Sequence, residues 1–239
     1  MALDEAMLHA AANLGATLVR LYQWDQPSVS FGRNQRCEGV YSAERCAELG
    51  VPAVRRLTGG RALLHARELT YAVAAPHVVA PSLRGGYDAI NAVLLEALQA
   101  LGVNASKATP AGRTVAPGLA PCFETPSAGE LVVGKQKLVG SAQHRDSAAF
   151  LQHGSILLGD DQHRLHELAL VPLPPSPPPA TLLNLLETVT YEDVADAIEG
   201  AVRNATTGDI VVTVDEDMLS SYVAPALSRY RDPCWTWRR

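Results

Sequence analysis

Short apolar runs separated by glycine, proline and polar turns fill residues 17–158, and they constrain the fold more than any other feature. Runs of this length and spacing are typical of β-strands. They predict strands at residues 17–22, 28–31, 53–57, 62–64, 69–74, 130–133, 137–143 and 150–158. The last run is mostly apolar, which favours a position in the centre of a sheet.

Helical spacing of apolar residues appears in four segments. These predict helices at residues 3–14, 42–49, 87–101 and 191–203, with Gly15 and Gly102 ending the first and third. The proline-rich residues 171–180 exclude a helix interior or a central strand and predict a stiff connector. We expect one domain over residues 1–239, because the helical extension at 181–239 has one good helix and too little apolar mass for its own core.

Composition excludes several classes of protein. The chain has 20 basic and 25 acidic residues, and the formal charge of −5 argues against a mainly electrostatic nucleic-acid binder, although a local basic patch remains possible. Four cysteines without a CxxC pair favour a reducing compartment. A charged N-terminus and the lack of a long apolar run predict a soluble, cytoplasmic protein without a signal peptide.

Lysine is rare in this chain, which uses arginine for almost all of its cations. The three lysines are Lys107, Lys135 and Lys137. Since a bland surface position would be expected to carry arginine here, a lysine indicates chemistry that needs a compact amine.

The first candidate site is the segment RRLTGGRALLH at residues 55–65, a glycine turn between two predicted strands. Gly59 and Gly60 would let backbone N–H groups approach a ligand, while the three arginines Arg55, Arg56 and Arg61 neutralise a phosphate or carboxylate. No Gly-Lys-Ser/Thr follows, so this is not a Walker loop. A glycine hairpin with solvated arginines explains the same pattern equally well.

The second candidate site is CFETPS at residues 122–127, followed by GKQKLVGSAQ at 134–143. A cysteine in a proline-bounded loop can act as a nucleophile when nearby cations lower its pKa, and a thioester is the natural intermediate of acyl transfer. A single cysteine is also often a small buried hydrophobe.

The third candidate site is LQHGSILL at residues 151–158, where His153 enters an apolar strand. Alone, such a histidine is more often a hydrogen-bonded core residue than a catalytic one.

Together these segments resemble the lipoate-protein ligase and octanoyl transferase family, which is related to the biotin-protein ligases. The resemblance runs from residue 2 to about 158, and the weaker LYQWDQPSVSFGRNQ at 21–35 adds to it. It implies an α/β (α+β) fold with a mixed, largely antiparallel sheet flanked by helices. The CFxxPS cysteine is similar to that of transferases that take octanoate from acyl carrier protein and load a lipoyl domain, such as the glycine-cleavage H protein.

The resemblance also implies roles for particular residues. Cys122 would carry the acyl group as a thioester, and Lys137 would hold the thioester carbonyl. We choose Lys137 over Lys135 because Lys135 lies in the predicted turn. The expected substrate-binding residues are Arg56, Thr58, Gly59, Gly60, Arg61, His65, Gly140, Ser141, His153 and Gly154.

Departures from the family pattern keep alternatives open. Ala66 stands where Asp is common, and Gly129 replaces an aromatic residue, whereas Arg61 in place of the third glycine usual in ATP-dependent ligases favours the transferase. The chain also begins where relatives already have a strand, so an edge strand is absent or the start is late. The transferase needs no cofactor, whereas a ligase would use ATP and Mg.

Two further alternatives come from other functional classes. A non-catalytic protein that binds the lipoyl carrier would keep the pocket without turnover. A metal site is weakly suggested by His163 and His166, but no Cys or Asp joins them at ligand spacing, so we expect none.

Overall fold

Two β-sheets organise the chain. The structure, a computed structural model, describes residues 1–79, 82–109, 129–210 and 217–238. Its strands are β1 (Leu18–Tyr22), β2 (Ser28–Phe31), β3 (Ala53–Arg55), β4 (Leu63–His65), β5 (Glu68–Pro76), β6 (Ser106–Lys107), β7 (Leu131–Val133), β8 (Gln136–Arg145) and β9 (Ala149–Leu157).

The helices are distributed along the whole described chain. They are α1 (Ala2–Leu14), α2 (Ala43–Glu48), α3 (Leu83–Ala100), α4 (Leu165–Leu168), α5 (Leu182–Leu185), α6 (Tyr191–Ala205), α7 (Asp217–Arg231) and α8 (Pro233–Thr236). None of the helices in the described residues is both long and apolar enough to cross a membrane.

The large sheet has the strand order β1-β5-β9-β8-β7-β6, and each neighbouring pair is antiparallel. The small sheet has the order β3-β2-β4, in which β2 is parallel to β3 and antiparallel to β4. This confirms the predicted mixed, largely antiparallel architecture flanked by helices. Every residue of β9 is buried and the strand lies inside the large sheet, as its mostly apolar sequence predicts.

The two faces of the large sheet pack against different helices. Successive side chains of a strand point to opposite faces, so Tyr71 and Ala72 belong to different layers. Tyr71 joins a core with residues of α3 and α6, including Leu94 and Ile198. Ala72 packs in another core with Met7, Leu8 and Ala11 of α1. The small sheet has its own core, which includes Phe31, Leu64 and Leu168.

Helix α3 begins four residues before its predicted start. Ser82 caps it, since its hydroxyl accepts a hydrogen bond of 3.0 Å from the amide of Gly85. The glycines at 85 and 86 therefore lie in the first helical turn, where the cap offsets their low helical propensity.

The C-terminal region corrects the sequence analysis. One helix was predicted after residue 181, but α5, α7 and α8 are also present. Helix α7 contains Pro225, which masks its pattern. Connector 171–180 has neither helix nor strand; Leu173 packs in the small-sheet core and Ala180 in the α3 core.

Candidate active site

The glycine turn at residues 59–60 rests against the loop that follows β2. Gly60 has a φ of 99°, a conformation that favours glycine. A Cβ placed on Gly32 would lie 2.0 Å from the carbonyl oxygen of Gly60, so only glycine fits on either side of this contact. The amide of Arg33 also donates to the carbonyl of Thr58 at 2.8 Å.

Arg56 holds the turn from within the protein. Its Nη2 donates to the carbonyls of Gly59 at 3.1 Å and Arg61 at 2.9 Å. Its Nη1 donates to the Oγ of Ser30 at 2.6 Å and to the carbonyl of Ser30 at 2.9 Å. The buried guanidinium therefore shapes the turn, and a direct role for Arg56 in substrate binding stays a prediction.

His65 continues this network into the large sheet. Because the arginine can only donate, the Ser30 hydroxyl accepts from Arg56 and donates to Nε2 of His65, 2.6 Å away. Nδ1–H of His65 then donates to Oε1 of Glu68 at 2.7 Å. Trp24 stacks on the imidazole with ring centroids 4.1 Å apart. His65 thus orients the pocket through its neighbours, with both ring nitrogens engaged.

His153 lies between the glycine turn and α1. Its Nε2 is 2.7 Å from Oγ1 of Thr58, and its Nδ1 is 2.9 Å from Oδ2 of Asp4. Burial lowers the pKa of His153, against the opposing effect of Asp4. In the neutral ring, Thr58 donates to Nε2 and Nδ1–H donates to Asp4. The structure therefore brings two predicted site residues, Thr58 and His153, into direct contact.

Asp4 is held ionised by this arrangement. Burial alone would raise the pKa of its carboxyl, but the amino terminus, the hydrogen bond from His153 and the charge of Arg20 together lower it. Tyr22 also donates to Oδ2 of Asp4 at 3.1 Å. Its carboxylate is thus satisfied inside the protein.

Gly154 allows a contact between strands on the opposite face of the sheet. Tyr71, Gly154 and Ser141 lie side by side in register, and the Tyr71 hydroxyl is 2.6 Å from Oγ of Ser141. Gln152 donates to the same hydroxyl at 2.8 Å, which leaves the tyrosine proton for Ser141. A Cβ on Gly154 would lie 2.4 Å from the carbonyl oxygen of Gly140 and 2.7 Å from Cε1 of Tyr71.

Lys137 is buried, and its Nζ donates to Oε1 of Glu130 at 2.7 Å. Lys135 is exposed in the turn between β7 and β8, as predicted. Lys107 is partly exposed and pairs with Asp88 at 2.8 Å. Of the three lysines, Lys137 alone is held inside the described protein, which suits the role predicted for it.

Cys122 lies outside the described residues, which include positions 108 and 109 before it and positions 129 and 130 after it. The amide of Ala108 donates to the carbonyl of Glu130 at 2.7 Å, and the amide of Gly129 donates to the carbonyl of Ala108 at 3.1 Å. The segment that carries Cys122 therefore leaves and rejoins the sheet beside Glu130, the partner of Lys137.

The described cysteines are poor candidates for a nucleophile. Cys37 and Cys46 are buried, and Cys234 is exposed. Burial, with a smaller effect of Cys37, raises the pKa of Cys46 to about 11, and burial also raises the pKa of Cys37. Within the described ranges, no three His, Cys, Asp or Glu residues are grouped as a metal site would require.

Sequence reasoning missed the acidic partners of the predicted residues. These are Asp4, Glu68 and Glu130, which lie beside His153, His65 and Lys137 respectively. A usable signal existed for Asp4, because it lies in the first turn of a helix that is largely apolar. A charged side chain that is buried with such a helix needs a polar partner.

The chain is similar to several known proteins. The family described as the lipoyl protein ligase A/B catalytic domain matches residues 1–203. Octanoyltransferase LipM of Kyrpidia tusciae is 42% identical over 185 residues, covering 72% of this chain and 66% of that protein. Octanoyltransferase LipM of Carboxydothermus hydrogenoformans is 41% identical over 170 residues, covering 69% and 62%.

The matches thus span slightly less than two thirds of the length of these curated relatives. Among solved structures, lipoate-protein ligase A bound with ATP has a TM-score of 0.76 over 99% of this chain and 92% of that chain. At 19% identity this similarity establishes a shared fold.

Proposed function

Because the chain belongs to the lipoyl protein ligase A/B catalytic domain family, we propose that it transfers an octanoyl group from acyl carrier protein to a lysine of a lipoyl domain. The observation that carries the proposal is the buried Lys137–Glu130 pair, which lies beside the described residues that flank the segment containing Cys122. The names of the two octanoyltransferase relatives support the same reaction.

In the first step, the Cys122 thiolate attacks the carbonyl carbon of the octanoyl thioester on acyl carrier protein. A carbon–sulfur bond forms to Cys122, the bond to the carrier breaks, and the carrier leaves as a thiolate. The energy of the thioester is kept in the acyl-enzyme, so this route needs neither ATP nor another cofactor.

In the second step, the amine of the acceptor lysine attacks the acyl-enzyme carbonyl. An amide bond forms, the carbon–sulfur bond to Cys122 breaks with Cys122 leaving as a thiolate, and the amine releases its proton to solvent, which balances the carrier thiolate formed in the first step. We propose a lipoyl domain, such as that of the glycine-cleavage H protein, as the acceptor.

Lys137 stabilises the negative charge that develops on the carbonyl oxygen in both steps. Glu130 accepts a hydrogen bond from the Lys137 ammonium and fixes its position, and a fixed donor in a buried site needs little reorganisation as charge develops. The carbonyl-binding role of Lys137 thus requires a compact donor at a set place.

The glycine turn lies on one face of the large sheet and the row of Tyr71, Gly154 and Ser141 lies on the other, and both shape the proposed substrate site. Arg56 shapes the turn, and the Asp4–His153–Thr58 chain ties it to α1 and β9. Arg61 follows Gly60 where ATP-dependent ligases usually have a third glycine, which disfavours a nucleotide in the turn.

The proposal is tested by incubating the protein with octanoyl carrier protein and an unmodified lipoyl domain, with and without ATP. Octanoylation of the domain is followed by mass spectrometry, and pyrophosphate is measured in parallel. We expect transfer without ATP and no pyrophosphate. Pyrophosphate formed stoichiometrically from free octanoate or lipoate would instead indicate a ligase, and binding of the lipoyl domain without transfer would indicate a non-catalytic protein.

A further inference from the structure

Arg55, the residue before Arg56, is a fully buried cation at the end of β3. Its Nη1 donates to the carbonyls of Gly32 at 2.6 Å and Gln35 at 2.7 Å. Its Nη2 lies 3.1 Å from Sγ of Cys37. Within the described ranges, its acceptors are carbonyl oxygens and this sulfur, and none is a carboxylate.

Arg55 Nη1 also lies 3.4 Å from the carbonyl of Arg33, and three further acceptors of Arg55 come from the C-terminal end of the described chain. Nε donates to the carbonyls of Trp235 at 3.1 Å and Thr236 at 3.0 Å, and Nη2 donates to that of Arg238 at 3.2 Å. The indole Nε1 of Trp235 donates back to the carbonyl of Arg55 at 2.9 Å. Because a buried charge without partners is strongly unfavourable, these carbonyls are required where Arg55 is buried.

Two aromatic rings hold the same segment against the rest of the protein. Trp235 packs against the core that includes α1, and Trp237 packs against the small sheet. Trp237 packs on Phe31 of β2 with ring centroids 5.4 Å apart. The guanidinium carbon of Arg238 lies over the ring of Trp235, 4.3 Å from the ring centroid. Arg238 also donates a hydrogen bond to the carbonyl of Arg33. We call residues 233–238 the C-terminal clasp.

Residues 32–35, which Arg55 and the clasp hold, also contact the glycine turn. Gly32 touches Gly60, and the amide of Arg33 donates to the carbonyl of Thr58 at 2.8 Å. A continuous series of contacts therefore runs from the clasp through Arg55 and residues 32–35 to the turn.

We infer that the C-terminal clasp and Arg55 position the glycine turn for acyl transfer, with Arg55 as a positioning residue that does not touch the substrate. This inference rests on the proposed function for its catalytic part. The clasp lies beyond residue 203, where the family match ends, so it is a part of the site supplied by the C-terminal region.

The test compares the full chain with a chain truncated after Asp232. Exchange of the Arg33 amide is measured by hydrogen–deuterium exchange, and the turnover number and KM are measured in the transfer assay. Truncation should speed exchange of the Arg33 amide by on the order of tenfold or more and lower the turnover number similarly, because the turn loses its support. A synthetic peptide of residues 229–239 should restore both quantities.

Three variants keep the test decisive. Arg55→Met should be as harmful as truncation in the full chain but add little in the truncated chain, because the charge and its acceptors act as one unit. Trp235→Phe, which removes the indole donor and reduces the ring that Arg238 covers but keeps an aromatic side chain, should speed exchange to a smaller extent. Arg203→Met removes an exposed arginine of α6 that pairs with Glu199, and it should change neither quantity.

The inference is wrong if the truncated chain keeps the slow exchange of the Arg33 amide, or if truncation and Arg55→Met have independent, additive effects. Fast exchange with an unchanged turnover number would also contradict it. If the full chain transfers no octanoyl group, the proposed function fails, while the exchange data still decide whether the clasp holds the turn.

Discussion

At the scale of single residues, the polar groups of the candidate site are held by other groups of the protein. Lys137 is the one described lysine placed inside the protein and it binds Glu130, while Arg56, His65 and Asp4 also direct their polar atoms at neighbouring protein groups. The sequence favoured Lys137 because lysine is rare and because Lys135 falls in a turn. It did not reveal Glu130 as the partner, since a buried ion pair is set by tertiary packing.

Lys137→Arg keeps the positive charge but replaces a compact ammonium with a planar guanidinium. We expect a folded protein whose transfer rate is lower by on the order of 100-fold, the usual loss when one donor to a transition-state oxyanion is misplaced. Steady-state transfer kinetics and a thermal melt check the two parts. The matched Lys135→Arg should be nearly silent, and equal effects of both variants would assign the carbonyl to Arg56, His153 or backbone amides.

His153 predicts how stability depends on pH. Burial lowers its pKa in the folded state below the reference value of 6.5, so the unfolded chain binds more protons between these two pKa values. The free energy of unfolding should therefore rise with pH across that window, by up to about 1.4 kcal/mol per pH unit. This contribution to stability is lost as the pH falls below 6.5.

Urea unfolding of the wild type and of His153→Gln between pH 5 and pH 7.5, a window chosen to bracket roughly 6.5, measures this dependence. The variant should have a shallower slope. His144→Gln should change the slope less, because His144 is only partly buried, although burial and Arg33 also lower its pKa. An unchanged slope in His153→Gln would show that His153 is not held neutral by burial.

At the scale of helices and strands, apolar patterns located most elements, while their ends depended on contacts that the pattern does not record. Strand β2 matches its prediction, but β3 ends at Arg55, two residues early, because Arg56 turns to hold the glycine turn. Helix α7 was not predicted, because Pro225 interrupts its apolar pattern. Its packing against the core that includes α1 is a tertiary contact, which a local sequence pattern does not record.

Two glycines in different elements should respond oppositely to alanine. Gly154→Ala in β9 places a methyl group against the carbonyl of Gly140 and the ring of Tyr71, so it should destabilise the protein by about 1–3 kcal/mol and separate Tyr71 from Ser141. Gly200→Ala in α6 meets nothing within 4 Å and should stabilise the protein by up to about 1 kcal/mol. Chemical denaturation measures the stability of both variants. An unchanged stability of Gly154→Ala would contradict the packing described for the row of Tyr71, Gly154 and Ser141.

At the scale of the whole molecule, the family resemblance predicted the sheet and its flanking helices, and both are confirmed. The C-terminal region could not be predicted in the same way. Its contacts with Arg55 and α1 join residues more than 170 positions apart, and no local pattern encodes them. The candidate site is thus shared between the N-terminal helix, the two sheets and the C-terminal clasp.

The account depends most on Cys122 as the residue that carries the acyl group. The most direct test is the intact mass of the protein after mixing with octanoyl carrier protein in the absence of ATP. We predict a single octanoyl adduct that hydroxylamine removes, that is absent from Cys122→Ala, and that persists when Cys37, Cys46 or Cys234 is replaced by alanine. No adduct on the wild type, or the same adduct on Cys122→Ala, would contradict the thioester mechanism.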